Sequence, residues 1–370
     1  MVIDERAQTD VNEILDYLAH SAPVLMKAAR AIDLNGQDLA KGQFIDCDLI
    51  DASFRGANLV DAVFVNCDLT GADFAGAALT RTRFVSCRLT RSRFDGCELE
   101  ETMFAAGTAT AARFSGVSLD RTQFATTELD QADFSGSTGE RCAFLDASII
   151  GASFRDGLFN GLAVTKAKMN RADIDNLRVD GGVFSEADFS GLDLSGGLWQ
   201  RCTFHEADLR NTNLDGARLS GSVFNACDFA GASLHAVTAR MTAFTKSRLH
   251  GVDLGGSDLS MANFHGAQLA QARLNGSALA SAVFSETDCR NAQLENVDLS
   301  QAELSHADLR GANLSGAQFN NTKMHAARVE GALTFGASGT TIGTDQPRAI
   351  AELYAPRKVL LDRDLPSGGH

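Results

Sequence analysis

The chain has 370 residues, 44% of them hydrophobic, with 33 Lys and Arg against 47 Asp and Glu, a formal net charge of −14. That balance excludes a general nucleic-acid binder, which needs an excess of cations against phosphate. No apolar stretch has the length of a membrane span or the form of a secretory leader, so the expectation is a soluble cytoplasmic protein without membrane contact.

Residues 1–33 are expected to form an N-terminal helical cap. Within them, residues 9–32 read as one or two helices. Thr9 or Asp10 suits the first N-cap, Glu13 adds a capping-box signal, and Val11, Ile14, Leu15 and Leu18 make an apolar stripe. Ser21 and Pro23 suit a second helix start, followed by Val24, Leu25, Ala28 and Ala29.

From Leu34 to Val329 every fifth residue is of one kind. The positions ending in 4 or 9 read Leu34, Leu39, Phe44, Leu49, Phe54 and so on, sixty units without a slip of phase. A period of five fits neither a helix at 3.6 nor a strand at 2, so it predicts a solenoid built of short sides. A second period supports four sides per coil. Phe44, Phe64, Phe84, Phe104, Phe124 and Phe144 recur at twenty, and Phe184, Phe204, Phe224, Phe244, Phe264 and Phe284 resume the series. Phe54 to Phe154 form a parallel series, and Leu49, Leu69 and Leu89 mark the side between. Aromatic ladders on successive coils produce such segregation. The residue two before each central one is small, as at Cys47, Ala52 and Ala57, and should also point inward. Leu162 before Val164 and Leu177 before Val179 exchange large for small, as close packing requires. Residues 157–199 are the least regular, with Phe159, Met169, Ile174 and Trp199 at central positions, which predicts a bend or change of bore there.

Units such as Ala187-Asp188-Phe189-Ser190-Gly191, Ala307-Asp308-Leu309-Arg310-Gly311 and Ala312-Asn313-Leu314-Ser315-Gly316 resemble the pentapeptide-repeat family over about four-fifths of the chain. The resemblance implies an all-β solenoid, a right-handed quadrilateral parallel β-helix of about 15 coils, roughly 70 Å long at strand spacing. The repeat domain is placed at 34–335. Residues 336–370 are read as a linker, a short helix over 346–354 and a tail, with Val359, Leu360 and Leu361 apolar and Pro366 to His370 disordered. In gyrase-protecting members the C-terminal end makes a dimer contact, so the resemblance implies a homodimer through that end.

All eight cysteines fall in the inward register: Cys47, Cys67, Cys87, Cys97, Cys142, Cys202 and Cys227 at small sites and Cys289 at a central one. They read as small buried hydrophobes. No Walker A loop, dinucleotide fingerprint or HExxH is present. His205, His265 and His325 share one corner but lie three coils apart, too far for a metal. With the bore filled by side chains, no substrate cavity, cofactor, metal or catalytic residue is expected, and the protein reads as a non-enzyme. Ala109, with Gly107 alongside, and Gly139 should mark weak coils.

The outside is therefore where function is expected. Asp73, Asp133, Asp173 and Asp193 line one corner, and Arg81, Arg83, Arg88, Arg91 and Arg93 read as a basic patch; both are candidate interaction surfaces. Much of the acidity follows from the repeat, because Asp or Asn before the central residue suits turn chemistry. Two functions are compatible with a rigid rod. One is a protein-interaction scaffold or adaptor, for which the family resemblance implies a bacterial effector-secretion or other accessory system, its protein partner unidentified. The alternative is a DNA mimic that binds DNA gyrase or topoisomerase and protects it from inhibitors, against which the basic corner of Lys41, Arg81, Arg121, Arg141 and Arg201 counts.

Overall fold

A computed structural model describes residues 9–353. Helix α1, Val11–Ala19, is the one helix before the shaft among the described residues. Asp10 is its N-cap, accepting the Glu13 amide at 2.8 Å. The expected second helix is not there. Val24–Leu25 is already a strand, paired in parallel with Phe44–Ile45, and Ala28 and Asp33 bridge to Asp48 and Ser53. The solenoid thus begins a half-turn before Leu34, because Val24, Ala29 and Ile32 already supply the inward pattern and are buried. Ile14 is buried and Val11, Leu15 and Leu18 pack partly against this first coil, while Lys27 pairs with Glu13 and lies over the Tyr17 ring. In this way α1 covers the apolar end of the bore.

The shaft is a parallel β-solenoid of about 16 turns. Residue i pairs with i+20 on each of four sides in succession, as in Phe44 with Phe64, Asp48 with Asp68, Ser53 with Asp73 and Asn58 with Ala78. We number the sides by their central residues: first (44, 64, 84), second (49, 69, 89), third (54, 74, 94) and fourth (59, 79, 99). The first side holds an eleven-stranded parallel sheet running from Val24–Leu25 to Val223–Asn225. The corners take left-handed backbone, with φ of 61° at Lys41, 58° at Arg81 and 72° at Gly316. That conformation costs a non-glycine residue about 1 kcal/mol. Most corner amides are used in return, as Arg81 N–H donating to the Glu100 carbonyl at 2.9 Å.

The bore is filled by side chains. Phe44 and Phe64 stack at 4.7 Å with 7° between planes, and Phe54 and Phe74 at 4.9 Å with 4°. The two ladders meet edge to face, Phe54 against Phe64 at 5.9 Å and 86°. The first-side ladder is interrupted at Val164 and resumes from Phe184 with Phe204 at 4.6 Å. Ser and Thr at small sites donate to a carbonyl of the coil before, as Thr82 to Leu59 at 2.8 Å, which lets hydroxyls sit in the core. Gly139 leaves no void, because the Phe159 ring comes within 3.2 Å of where its Cβ would be.

The C-terminal reading needs one correction. Residues 336–342 are coil, not linker. Ser338 pairs with Gln318, and Thr341–Ile342 with Thr322–Lys323, a register of nineteen in place of twenty. Helix α2, Gln346–Leu353, follows. The apolar segment Val359 to Leu361 and the tail after it lie outside the described residues. Among the described residues, no helix is long and apolar enough to cross a membrane.

Candidate functional site

The irregular stretch 157–199 does depart from the shaft, as an opened seam on the third side. Between Val24 and Ser338 one bridge demanded by the register is missing among the described residues: Asp173 does not pair with Asp193, although Ser153–Asp173 and Asp193–Asn213 flank it. The amides of Ile174, Asn176 and Asp193 lack the interstrand partners that the same positions have one coil earlier, where Phe154 N–H reaches Asp173 and Asp173 N–H reaches Ala152. The seam encloses about 390 Å³, walled by 172–176 and 193–197 and floored by Ile174, Leu194 and Trp199.

Packing accounts for the opening. One coil holds Phe184, Phe189 and Trp199 at central sites and Leu192 at a small site, all buried. Trp199 lies edge-on to Phe184 at 5.7 Å and to Phe189 at 6.1 Å. Gly182 and Gly197 relieve part of this excess; a Cβ at Gly197 would meet Trp199 Nε1 at 2.6 Å. The coil below is filled differently, with Leu162 and Leu177 at small sites beside Val164 and Val179. Two cross-sections of different shape cannot lie flat on one another, and the ladder gives way on one side. Trp199 is 1% exposed, and its Nε1 is the one buried side-chain polar atom among the described residues without a hydrogen-bond partner.

The sequence-predicted surface residues are placed as follows. Asp73, Asp133, Asp173 and Asp193 stand on the flat third side rather than at a corner. Asp73 is engaged by Arg55 at 2.8 Å and Arg93 at 3.8 Å, and Asp173 by Arg155 at 3.1 Å. Asp133 and Asp193 accept local amides, from Ser135 at 2.9 Å and Ser195 at 3.0 Å. The five arginines do not form one patch. Arg83 is on the first side, Arg88 on the second, Arg93 on the third, and Arg81 and Arg91 at corners. Arg81 holds Asp61 through two nitrogens at 2.7 and 2.9 Å, and Arg88 holds Asp68 at 2.7 Å. The hydrogen bond from Arg81 keeps the Asp61 carboxyl below its ordinary range.

Two features escaped sequence reasoning. The first is the outer face of the eleven-stranded sheet. From Gln43 to Val183 its outward residues include Ile45, Val63, Val65, Val85, Met103 and Leu145, and Arg83 is its only charge. The signal was present at positions ending in 3 and 5, read at period twenty. The second is a cluster that joins α2 to the shaft. Glu352 Oε2 lies 3.1 Å from Nε2 of both His306 and His325, and Arg348 Nε lies 2.7 Å from Oε1. The three ligand atoms lie within 4.8 Å of one another, so His325 does take part in a group of metal-binding type, with His306 rather than with His205 or His265. The two imidazoles meet at a corner of the regular stacking, where the His306 amide donates to the His325 carbonyl at 2.8 Å and the ring centroids lie 5.3 Å apart. The hydrogen bonding nevertheless describes a clamp. His325 Nδ1 accepts the Asp345 amide at 3.0 Å, so its proton sits on Nε2 and is donated to Glu352. A metal at that Nε2 would cost the Asp345 bond. Hydrogen bonds from His325 and Arg348 push the Glu352 carboxyl down to about 2.

All eight cysteines are buried and free. Burial pushes the thiols of Cys97, Cys202 and Cys227 up to about 12. The bore leaves no room for a substrate, but the surface has recesses that the sequence did not foretell, among them the seam and a shallow hollow of about 440 Å³ over Gly139 beside Leu158 and Phe159.

Family models agree with this architecture. A model described as "Pentapeptide repeat region" matches residues 37–108, and one described as "Pentapeptide repeats (8 copies)" matches 183–221, 202–238, 262–301 and 298–333. Among solved structures, HetL, a pentapeptide repeat protein involved in heterocyst differentiation regulation from Nostoc sp. strain PCC 7120, is 20% identical, over 90% of this chain and 95% of its own, with a TM-score of 0.24. QnrB1, a plasmid-mediated fluoroquinolone resistance protein, is 22% identical over 58% of this chain and 94% of its own, with a TM-score of 0.34. The A-module of the mannuronan C-5 epimerase AlgE4 from Azotobacter vinelandii is 10% identical over 91% and 95%, with a TM-score of 0.27. No curated protein matches the chain. With more than half of its residues matched by the repeat models and its register unbroken in sequence, the chain belongs to the pentapeptide repeat proteins.

Proposed function

We propose that this protein is a non-enzymatic interaction scaffold whose principal docking surface is the outer face of the eleven-stranded sheet. The observation that carries this reading is the chemistry of that face. Parallel sheets ordinarily have both faces covered, and here one face packs the bore while the other presents Ile45, Val63, Val65 and Met103 to the outside. A broad apolar patch, poor in charge, marks a protein partner. Rigidity lowers the entropic cost of docking on it. An adaptor role in an accessory system such as effector secretion remains the concrete form of this proposal.

The test is affinity capture from the native host with two folded variants. Val65→Glu with Met103→Glu should lose the partner, and Asp228→Lys on the second side should keep it. Equal capture by all three proteins would end the reading. The gyrase-protecting DNA mimic is the alternative. It is weakened because the second-side column runs Asp48, Asp68, Arg88, Thr108, Glu128, Ser148, Lys168, and because Arg30 and Arg88 already occupy the first two carboxylates. Relief of fluoroquinolone inhibition in a gyrase supercoiling assay would favour it. Self-association through the C-terminal end is supported by Phe335, 90% exposed, with the exposed Leu333 beside it on the third side.

A further inference from the structure

The seam on the third side carries unsatisfied chemistry of a particular kind. Both of its edges are main chain. The amides of Ile174, Asn176 and Asp193 make no bond to the carbonyls of Asp193, Ser195 and Ala172, their partners in the register, and here alone the three losses coincide with a missing bridge. Unpaired backbone groups next to buried surface cost as much as lost hydrogen bonds, so such edges favour a guest that offers donors and acceptors in alternation. An extended peptide main chain presents that pattern, which is the basis of strand addition. Beneath the gap, Trp199 Nε1 is a buried donor with no acceptor, beside Gly197 in the wall of the recess. The volume of about 390 Å³ lies in the range of binding pockets, about 300–1,000 Å³.

Charge selects the guest further. The ionisable residues lining the recess are Asp173, Asp175 and Asp193, with no Lys or Arg among them. Arg155 reaches in from outside to the first two, at 3.1 and 2.5 Å. Among the described residues Asp193 has no cationic partner and accepts the Ser195 amide at 3.0 Å. We propose that the opened seam is a binding site for a short extended peptide of a partner protein. The peptide main chain enters between the coils, one carbonyl accepts the Trp199 indole proton, and a lysine or arginine side chain meets Asp193. This site goes beyond the scaffold reading, since it lies on the side opposite the apolar sheet and its test touches none of the residues varied there.

Trp199 is the only tryptophan, so its emission reports this site in the full chain. The probes are an array of blocked five-residue peptides alternating valine with lysine or arginine, and the same array with glutamate. Basic members should bind, shift the Trp199 emission and slow exchange of the Ile174, Asn176 and Asp193 amides at least tenfold. The glutamate members should bind at least tenfold more weakly. Asp193→Lys, a surface change that leaves the core intact, should lower affinity for the basic peptides tenfold or more. Trp199→Leu, which gives this coil the residue its neighbour carries at Leu219, should abolish binding measured by calorimetry. The proposal is overturned if no basic peptide alters emission or exchange at millimolar concentration. It is equally overturned if acidic and basic peptides bind alike, or if Asp193→Lys or Trp199→Leu binds as the unaltered protein does.

Discussion

Phe224 lies between Phe204 at 4.6 Å and Phe244 at 5.3 Å, with no solvent path to its ring. Phe224→Asp would bury a carboxylate without a partner, and a loss above about 4 kcal/mol is expected, seen as unfolding of the surrounding coils in circular dichroism and exchange. Asp228→Asn should shift the melting temperature little, because Asn can still accept the Ala230 amide that Asp228 accepts at 3.0 Å. The exposed Arg248 pair at 3.3 Å adds little. The carboxylates of Asp208, Asp288 and Asp308 are held low chiefly by hydrogen bonds from Arg210, Arg290 and Arg310, two residues on. Their folded pKa values are depressed. Their contribution is therefore present above the unfolded value of about 3.9 and is lost as pH falls through the folded value. The melting temperature should be flat between about pH 7 and 5 and fall below about pH 4. The buried thiols give a simpler readout: none of the eight should react with a disulfide reagent near pH 8 until the chain is unfolded.

At the scale of the element, the corners stack by a rule. An Asx side chain in one corner leans over a glycine in the next. A Cβ at Gly231 would meet Asn211 Oδ1 at 2.4 Å, and Gly311 and Gly316 stand in the same way above Asn291 and Asn296. Gly231→Ala combines that clash with φ of 74°, so a loss of about 1–3 kcal/mol is expected in denaturant melts. Asn211→Ala in the same chain should recover the part owed to the clash. The α2 clamp can be tested likewise. Glu352→Ala removes the acceptor shared by His306, His325 and Arg348, and exchange of the α2 amides should accelerate at least tenfold while the shaft is unchanged. The coils were legible because their signal repeats sixty times, and Asp10 was legible because capping is local chemistry. The first coil was misread at Pro23 because Val24, Ala28 and Ala29 fit a helix face as well as two sides of a square. The His306–His325 pairing was hidden because the two fall at different positions of the five-residue unit, whereas stacking was read between equal positions. The mixture of Leu162, Leu177 and Trp199 did point to a disturbed stretch, yet which side would open depends on how whole cross-sections meet.

The whole molecule behaves as a one-dimensional stack, in which each turn is secured by its two neighbours. Its weakest junction should be the seam and not the coils at Ala109 and Gly139 that the sequence suggested. At Gly139 a ring from the next turn fills the gap, and at Gly107 the Cys87 carbonyl would sit 2.4 Å from a Cβ, so the backbones there are close. Among shaft amides, those of Ile174, Asn176 and Asp193 should exchange fastest, and denaturant melts followed by probes on either half should not coincide.

A ladder of identical steps carries no instruction for its own extent. The turn that runs from Thr322 to Thr341 in nineteen residues supplies one, since any further step laid upon it would arrive out of phase with the four sides below. Lengthening by duplication of a twenty-residue block is therefore open to the ancestors and descendants of this gene only upstream of that turn. Copies inserted there would lengthen the rod in increments of about 4.8 Å without altering either tip.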